Sequence, residues 1–269
     1  VARRQRLDAE LVRRGLARSR DQAQELVAAG RVKVAGTVTG KPATQVDLGA
    51  AIVVSDDADD PGYVSRGAHK LAGALDVFGP AGLTVAGRRC LDAGASTGGF
   101  TDVLLRAGAS GVVCVDVGYG QLSWGLRQDP RVEVLDRTNV RDLDPVSWPG
   151  EPPGLVVADL SFISLSLVLA PLVAVARADA DFVLMVKPQF EVGRDRLGPG
   201  GVVRDPALRT EAVATIAARA YQQGLGVRGV IASPLPGPSG NVEYFLWLHA
   251  GADPLDPGAL ARAIEEGPS

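Results

Sequence analysis

The sequence predicts a doubly wound, mostly parallel α/β sheet behind a small α+β domain, and three observations point there. From Ser65 onward, short apolar runs alternate with amphipathic segments of helical spacing, as in parallel strands joined by helices. The first of those runs ends in a glycine-rich turn that opens directly into a helix. The charge is also unevenly spread. Of a net −3, residues 1–41 carry +6, from ten Lys/Arg against four Asp/Glu, which leaves −9 for the remainder.

In the basic head, Leu7, Leu11 and Val12 recur at helical spacing, and Gly15 is placed to end that helix. Ser19 is a natural N-cap for a second helix, with Ala23, Leu26 and Val27 on one face and Gly30 as its stop. Val32 and Val34 alternate as a strand, Gly36 turns it, and Ala51 to Val54 makes another. Four aspartates crowd Asp56–Asp60 and Pro61-Gly62 follows, a solvated linker over about 56–63. The expected division is therefore a head over 1–60 and a larger domain over 64–269.

In the larger domain Ser65 can cap a helix running to about Phe78, closed by Gly79-Pro80. Strands are expected at 88–93, 111–117, 131–136, 154–159, 181–187 and 226–232, and helices at 98–107, 121–128, 165–177 and 206–223. A last strand runs from about Asn241 to Leu248. No helix precedes it, so it should be the antiparallel member of an otherwise parallel sheet. The tail beyond Asp253 carries no readable signal.

Composition excludes several classes of function. A hydrophobic fraction of 46% is that of a globular chain, which rules out disorder and fibres. Cys90 and Cys114, both inside apolar runs, read as buried small hydrophobes, so neither a disulfide framework nor a metal site is expected. Residues 3–14 hold five arginines and no apolar segment, which predicts no secretory leader. The longest apolar stretch, Leu165–Ala176, is too short to span a bilayer and contains Ser166 and Pro171. A cytoplasmic protein is expected. A basic head on an acidic body suits a polyanionic partner, although a solvated helix pair would give the same charge.

The strongest local signal is Leu91-Asp92-Ala93-Gly94-Ala95-Ser96-Thr97-Gly98-Gly99-Phe100-Thr101. A nicotinamide fingerprint needs glycine where Ser96 stands, which weakens that reading. The form Asp-x-Gly-x-x-x-Gly instead resembles the cofactor loop of Rossmann-like methyltransferases. That resemblance implies Asp92 and the loop Gly94, Ala95, Ser96, Thr97, Gly98, Gly99 and Phe100 against the amino-acid portion of S-adenosylmethionine. It also implies Asp116 on the ribose hydroxyls and Asn139 near the adenine.

The strand ending at Asp159 continues Leu160-Ser161-Phe162, unlike the Asn/Asp-Pro-Pro-aromatic motif of amino-group methyltransferases. No Pro-Cys pair stands there for attack on a pyrimidine carbon. Carboxylates and lysines remain. Asp159 and Lys187 end the fourth and fifth strands, where this fold class sets its active sites. If the antiparallel strand pairs with the fifth, Glu243 returns to that edge, since neighbouring strands lie about 4.8 Å apart. Lys70, on the preceding helix, can cover the group. Each alone has a plain alternative, a solvated lysine or a capping aspartate.

Together, Ser65-Arg66-Gly67-Ala68-His69-Lys70-Leu71, the glycine loop, Asp159 to Ser164, Lys187-Pro188-Gln189-Phe190-Glu191 and Ser233-Pro234 to Phe245 resemble the TlyA haemolysin/rRNA methyltransferase family. Its catalytic half is similar to FtsJ-type ribose methyltransferases, whose Lys-Asp-Lys-Glu tetrad falls on Lys70, Asp159, Lys187 and Glu243. The head resembles the RNA-binding domain of small-subunit ribosomal protein S4, through Arg6-Leu7-Asp8, Ser19-Arg20 and Gly30–Val34. The resemblance implies a Rossmann-like class I methyltransferase that uses S-adenosylmethionine to methylate cytidine 2′-hydroxyls in ribosomal RNA of either subunit. Loss of that activity can bring resistance to capreomycin-type antibiotics. It implies RNA contacts from Arg4, Arg6, Arg18, Arg20, Arg31, Lys33 and Lys41, within ribosomal subunits, with no metal and no obligate protein partner. A membrane-active haemolysin, or an RNA-binding assembly factor without catalysis, are the readings to weigh against it.

Overall fold

The structure, a computed structural model, describes residues 4–17, 19–54, 62–237 and 239–268. Two compact units emerge, Val1–Gly62 and Tyr63–Ser269. Residues 55–61, in which the expected linker falls, and Arg18 lie outside the described residues.

The first unit orders as β1 (Arg4–Arg6), α1 (Leu7–Arg13), α2 (Arg20–Ala28), β2 (Val32–Val34), β3 (Thr37–Val38), β4 (Gln45–Asp47) and β5 (Ile52–Val54). Ser19 caps α2 by accepting from Gln22 N–H at 3.2 Å. Leu7, Leu11, Ala23, Leu26, Val27, Val32 and Val46 form its core. β1 pairs with β4, and β2 lies between β3 and β5, all antiparallel.

The second unit runs α3 (Gly67–Phe78), β6 (Arg89–Ala93), α4 (Gly99–Arg106), β7 (Gly111–Val115), α5 (Trp124–Arg127), β8 (Val132–Leu135), β9 (Leu155–Ala158) and α6 (Leu169–Val175). It continues with β10 (Asp181–Val186), α7 (Pro188–Glu191), α8 (Pro206–Gln222), β11 (Leu225–Ala232), β12 (Tyr244–Ala250) and α9 (Pro257–Glu265). Seven strands form one sheet in the order β11-β12-β10-β9-β6-β7-β8. β12 runs antiparallel between β10 and β11; the other pairings are parallel. Two apolar layers cover the sheet, one built on Leu91, Val113 and Leu184, the other on Cys90, Val112 and Val183, as the two-residue period of a strand requires. Both cysteines are buried and free.

Four expectations are corrected. Ser65 does not cap α3 through its side chain; the helix opens at Gly67 with no side-chain cap, and Ser65 offers only its carbonyl, to Ala68 N–H. The helix expected over 165–177 is a 3₁₀ turn, Leu165–Leu167, followed by α6, because Val168 at φ −118° breaks the run. The last strand starts at Tyr244 rather than Asn241, whose side chain is spent on a neighbouring loop, accepting from Val203 N–H and donating to Gly201 O. The tail is a helix, α9, with Asp256 capping Gly258 and Ala259 and Pro257 in the first turn.

Candidate active site

The C-terminal ends of β6, β7 and β9 open onto a cleft of about 720 Å³, within the range of about 300–1,000 Å³ usual for small-molecule sites. Gly94, Ser96, Asp116, Gln121, Asn139, Asp159 and Ser161 are among its lining residues. Gly94 follows β6 at φ +86°, and a Cβ there would sit 2.7 Å from the Asp159 carbonyl oxygen. The loop and the end of β9 therefore touch backbone to backbone. Asp116, just after β7, accepts from Ser96 N–H at 2.8 Å and from Gly118 N–H at 2.7 Å, fixing its carboxylate at the cleft wall. Asn139 caps a short 3₁₀ turn by accepting from Arg141 N–H.

Other residues of the glycine motif are engaged elsewhere. Gly98, at φ +97°, abuts Leu122 and Leu126, where a Cβ would lie 2.3 Å from Leu126. A Cβ on Gly99 would meet Ser65 Oγ at 2.3 Å and Ala68 N at 2.9 Å, so this glycine lets α3 pack on α4. Phe100 is buried against Phe245. Ala95 is buried, and Thr97 uses its carbonyl to hold Ser123 N–H. Asp92 shares the Cys90 face of β6, fully buried, and accepts from Thr101 Oγ1 at 2.6 Å while its Oδ1 has no partner. Burial pushes its carboxyl up to about 7, against the Thr101 hydrogen bond and reinforced by the charge of Asp159.

Lys70, Asp159, Lys187 and Glu243 meet at the same sheet edge as two ion pairs. Lys70 Nζ lies 2.5 Å from Glu243 Oε2, with both groups buried and Met185 Sδ at 4.0 Å. Lys187 Nζ lies 2.6 Å from Asp159 Oδ1 and directs a hydrogen bond of 2.9 Å to Ser161 Oγ. Register explains the meeting: Val186 pairs with Tyr244, so Lys187 and Glu243 occupy the next positions on neighbouring strands. Asp159 and Ser161 face the cleft, which places Lys187 beside it.

Two contributors carry no role in the sequence reading. Ser161 sits inside a quoted motif, two residues beyond Asp159, and only the folded chain shows that it reaches Lys187. Glu191 holds the loop after β9, accepting from Ser164 Oγ at 2.5 Å and Leu165 N–H at 2.9 Å. Burial raises its carboxyl above the usual range despite both hydrogen bonds.

In the first unit, two fully buried carboxylates gather the arginines. Asp8 pairs with Arg6 (2.8 Å) and Arg20 (3.1 Å), and Glu10 with Arg13 and Arg14 (both 2.6 Å). The Arg6 hydrogen bond holds Asp8 well below the usual carboxylate range, and that of Arg13 brings Glu10 down to about 2. Arg4 pairs with Asp47. Arg31 is half-buried, and Lys33 and Lys41 are exposed.

Residues 63–250 match the FtsJ-like methyltransferase family, and residues 5–52 match the S4 domain. A Mycobacterium tuberculosis protein, the 16S/23S rRNA (cytidine-2′-O)-methyltransferase TlyA, is 59% identical over 273 residues, covering 100% of both chains. Hemolysin A of Brachyspira hyodysenteriae is 37% identical over 89% of this chain and 97% of its own. A solved Streptococcus thermophilus chain is similar at a TM-score of 0.77 and 37% identity, over 99% of this chain and 98% of that one.

Proposed function

The chain belongs to the FtsJ-like methyltransferase family, within the group of the TlyA rRNA methyltransferases, and from that membership we propose that it moves a methyl group from S-adenosylmethionine to the 2′-hydroxyl of a cytidine ribose in ribosomal RNA. The observation that carries this reading is Lys187, held beside Asp159 and Ser161, two residues of the cleft wall.

The residues present fit the cofactor. Gly94 lets the loop lie directly on the Asp159 backbone while lining the cleft, and Asp116 offers carboxylate oxygens suited to ribose hydroxyls. Asp116, held at the cleft wall by Ser96 N–H and Gly118 N–H, presents a carboxylate that favours a cationic ligand. When bound, S-adenosylmethionine supplies a methyl group already activated on a sulfonium. What the protein must add is removal of a proton, because a ribose hydroxyl is a poor nucleophile at neutral pH. Lys187 Nζ, after giving up its ammonium proton to solvent, accepts that proton as the hydroxyl oxygen attacks. Asp159 orients the amine, and the Lys70–Glu243 pair fixes the neighbouring strand and the floor beneath it. Of the two lysines, Lys70 is the poorer candidate, since its amine is closed off by Glu243 and Met185.

Ribose-methyl mapping of ribosomal RNA from cells with and without the gene tests the reaction. A cytidine 2′-O-methyl mark that disappears with the gene is expected, and a lost base methylation instead would overturn the reading. No helix among the described residues is long and apolar enough to cross a membrane.

Two binding results follow. Asp116→Ala should weaken cofactor binding by about 1.5–3 kcal/mol, the worth of hydrogen bonds to a charged group, as measured by calorimetry. Unchanged affinity would remove Asp116 from the site. In the S4 domain, Lys33→Ala with Lys41→Ala should weaken RNA binding and reduce its salt slope by about 0.7–0.9 for each phosphate no longer neutralised. Cofactor affinity should stay level, and an unaltered salt slope would move the RNA-docking surface elsewhere.

A further inference from the structure

We propose that Ser161 is a positioning residue for the reacting lysine, holding the Lys187 amine so that its lone pair faces the ribose hydroxyl. The inference rests on the assignment of Lys187 as base.

A neutral lysine amine has one bond to carbon, two N–H groups and one lone pair. Ser161 Oγ accepts a directed hydrogen bond from it at 2.9 Å, whereas Asp159 Oδ1, at 2.6 Å, is an ion-pair partner that receives no hydrogen bond. With Ser161 engaged, the amine keeps one N–H fixed and its other positions turn only about that bond. Asp159 alone would leave the amine free to turn about its Cε–Nζ bond, with the lone pair away from the substrate for part of the time. The Ser161 hydroxyl is the directed acceptor that sets its orientation, as pre-organisation of a proton acceptor requires.

The loop carrying Ser161 is built to stay in place. The next residue, Phe162, is held at φ +64°, a left-handed conformation that is strained for a non-glycine residue and persists only where surroundings impose it. Both flanks impose it here. Asp159 N–H is bonded to Ala93 O on one side, and Glu191 grips Ser164 Oγ and Leu165 N–H on the other. Glu191 lies four residues beyond Lys187, so the same short stretch supplies the lysine and the grip on the loop that orients it.

The charged groups around Lys187 come from four other elements: Asp159 just after β9, Glu243 just before β12, Lys70 of α3, and Asp92 on β6; Glu191 is its neighbour on α7. Ser161→Ala changes none of them. Its hydroxyl accepts from the ammonium form, so its removal disfavours that form.

The test is steady-state methylation of RNA with a labelled methyl donor across pH. For Ser161→Ala, kcat is expected to fall about tenfold, one lost hydrogen bond's worth, and the rising limb of the profile should move to lower pH. KM for RNA and calorimetric cofactor affinity should hold, and Ser161→Thr, which restores a hydroxyl, should recover most of kcat. A wild-type kcat with an unmoved limb overturns the proposal, as does a fall in kcat with no movement of the limb. Lys187→Ala separates the two levels. If that enzyme keeps its activity, the base assignment itself fails; if it is dead while Ser161→Ala is unaffected, only Ser161's role falls.

Discussion

Lys187→Ala is expected to lose ribose methylation by about 10²- to 10⁴-fold, the usual worth of a positioned general base. KM for RNA should hold, because the proton moves only as the transition state forms and the lost interaction is made there. Cofactor affinity should also hold or rise slightly. Alanine leaves the Asp159 carboxylate without its cation at the cleft wall, a change that does not disfavour a positively charged ligand. Lys187→Gln keeps a donor for Ser161 without basicity and should be nearly as damaged. Single-turnover methylation with labelled donor measures the loss directly. Near-normal rates from Lys187→Ala would transfer the proton to Lys70 or to water and overturn the mechanism.

The second large effect is on stability. Glu243→Ala leaves the Lys70 ammonium buried without its partner, and breaking a buried ion pair from one side costs about 3–5 kcal/mol. The double variant Lys70→Met, Glu243→Leu removes both charges with apolar groups of similar size and should recover most of that loss, since a buried pair seldom outperforms well-packed hydrophobes. Its methylation activity should stay low. Urea unfolding followed by tryptophan fluorescence reports on the catalytic unit alone, because all three tryptophans lie in it. If the double variant unfolds as early as Glu243→Ala, the unpaired ammonium is not the source of the loss.

Much of this was legible in the residue pattern, for physical reasons. Parallel strands buried on both faces read as continuous apolar runs, and Gly111–Val115 and Asp181–Val186 are such runs. The Lys187–Glu243 meeting followed from one topological step, an antiparallel strand beside the fifth. β1, β3 and β4 were not seen because each is short and holds at most one apolar residue, so no alternation shows, unlike Val32 and Val34 of β2. α9 was missed although Asp256-Pro257 announces its start. The glycine motif shows a deeper limit. A glycine demanded by a ligand and one demanded by a packed helix look alike in sequence. Gly94 lines the cleft and also makes room for the Asp159 backbone, while Gly98 and Gly99 make room for Leu126 and for α3. Asp92 could have been placed by strand alternation, since it shares a face with Cys90 and not with Leu91. Ser161 and Glu191 depend on loop geometry, which no spacing rule encodes.

The position of β12 bears on the order in which the chain can become an enzyme. It comes last in chain order among the described strands, yet it lies inside the sheet, with β10 on one side and β11 on the other. Until residues 244–250 arrive, β10 offers an open edge of unpaired amides and carbonyls, the kind of edge that invites foreign strands. Over the same interval Lys70 has no carboxylate, because its partner immediately precedes that strand. The glycine loop, Asp116 and the Lys187–Asp159 pair all belong to earlier chain, so a growing polypeptide can complete its cofactor cleft before it completes its tetrad. Closure of the β10 edge and neutralisation of Lys70 are then one event, and residues 243–250 act as the catch that seals the sheet.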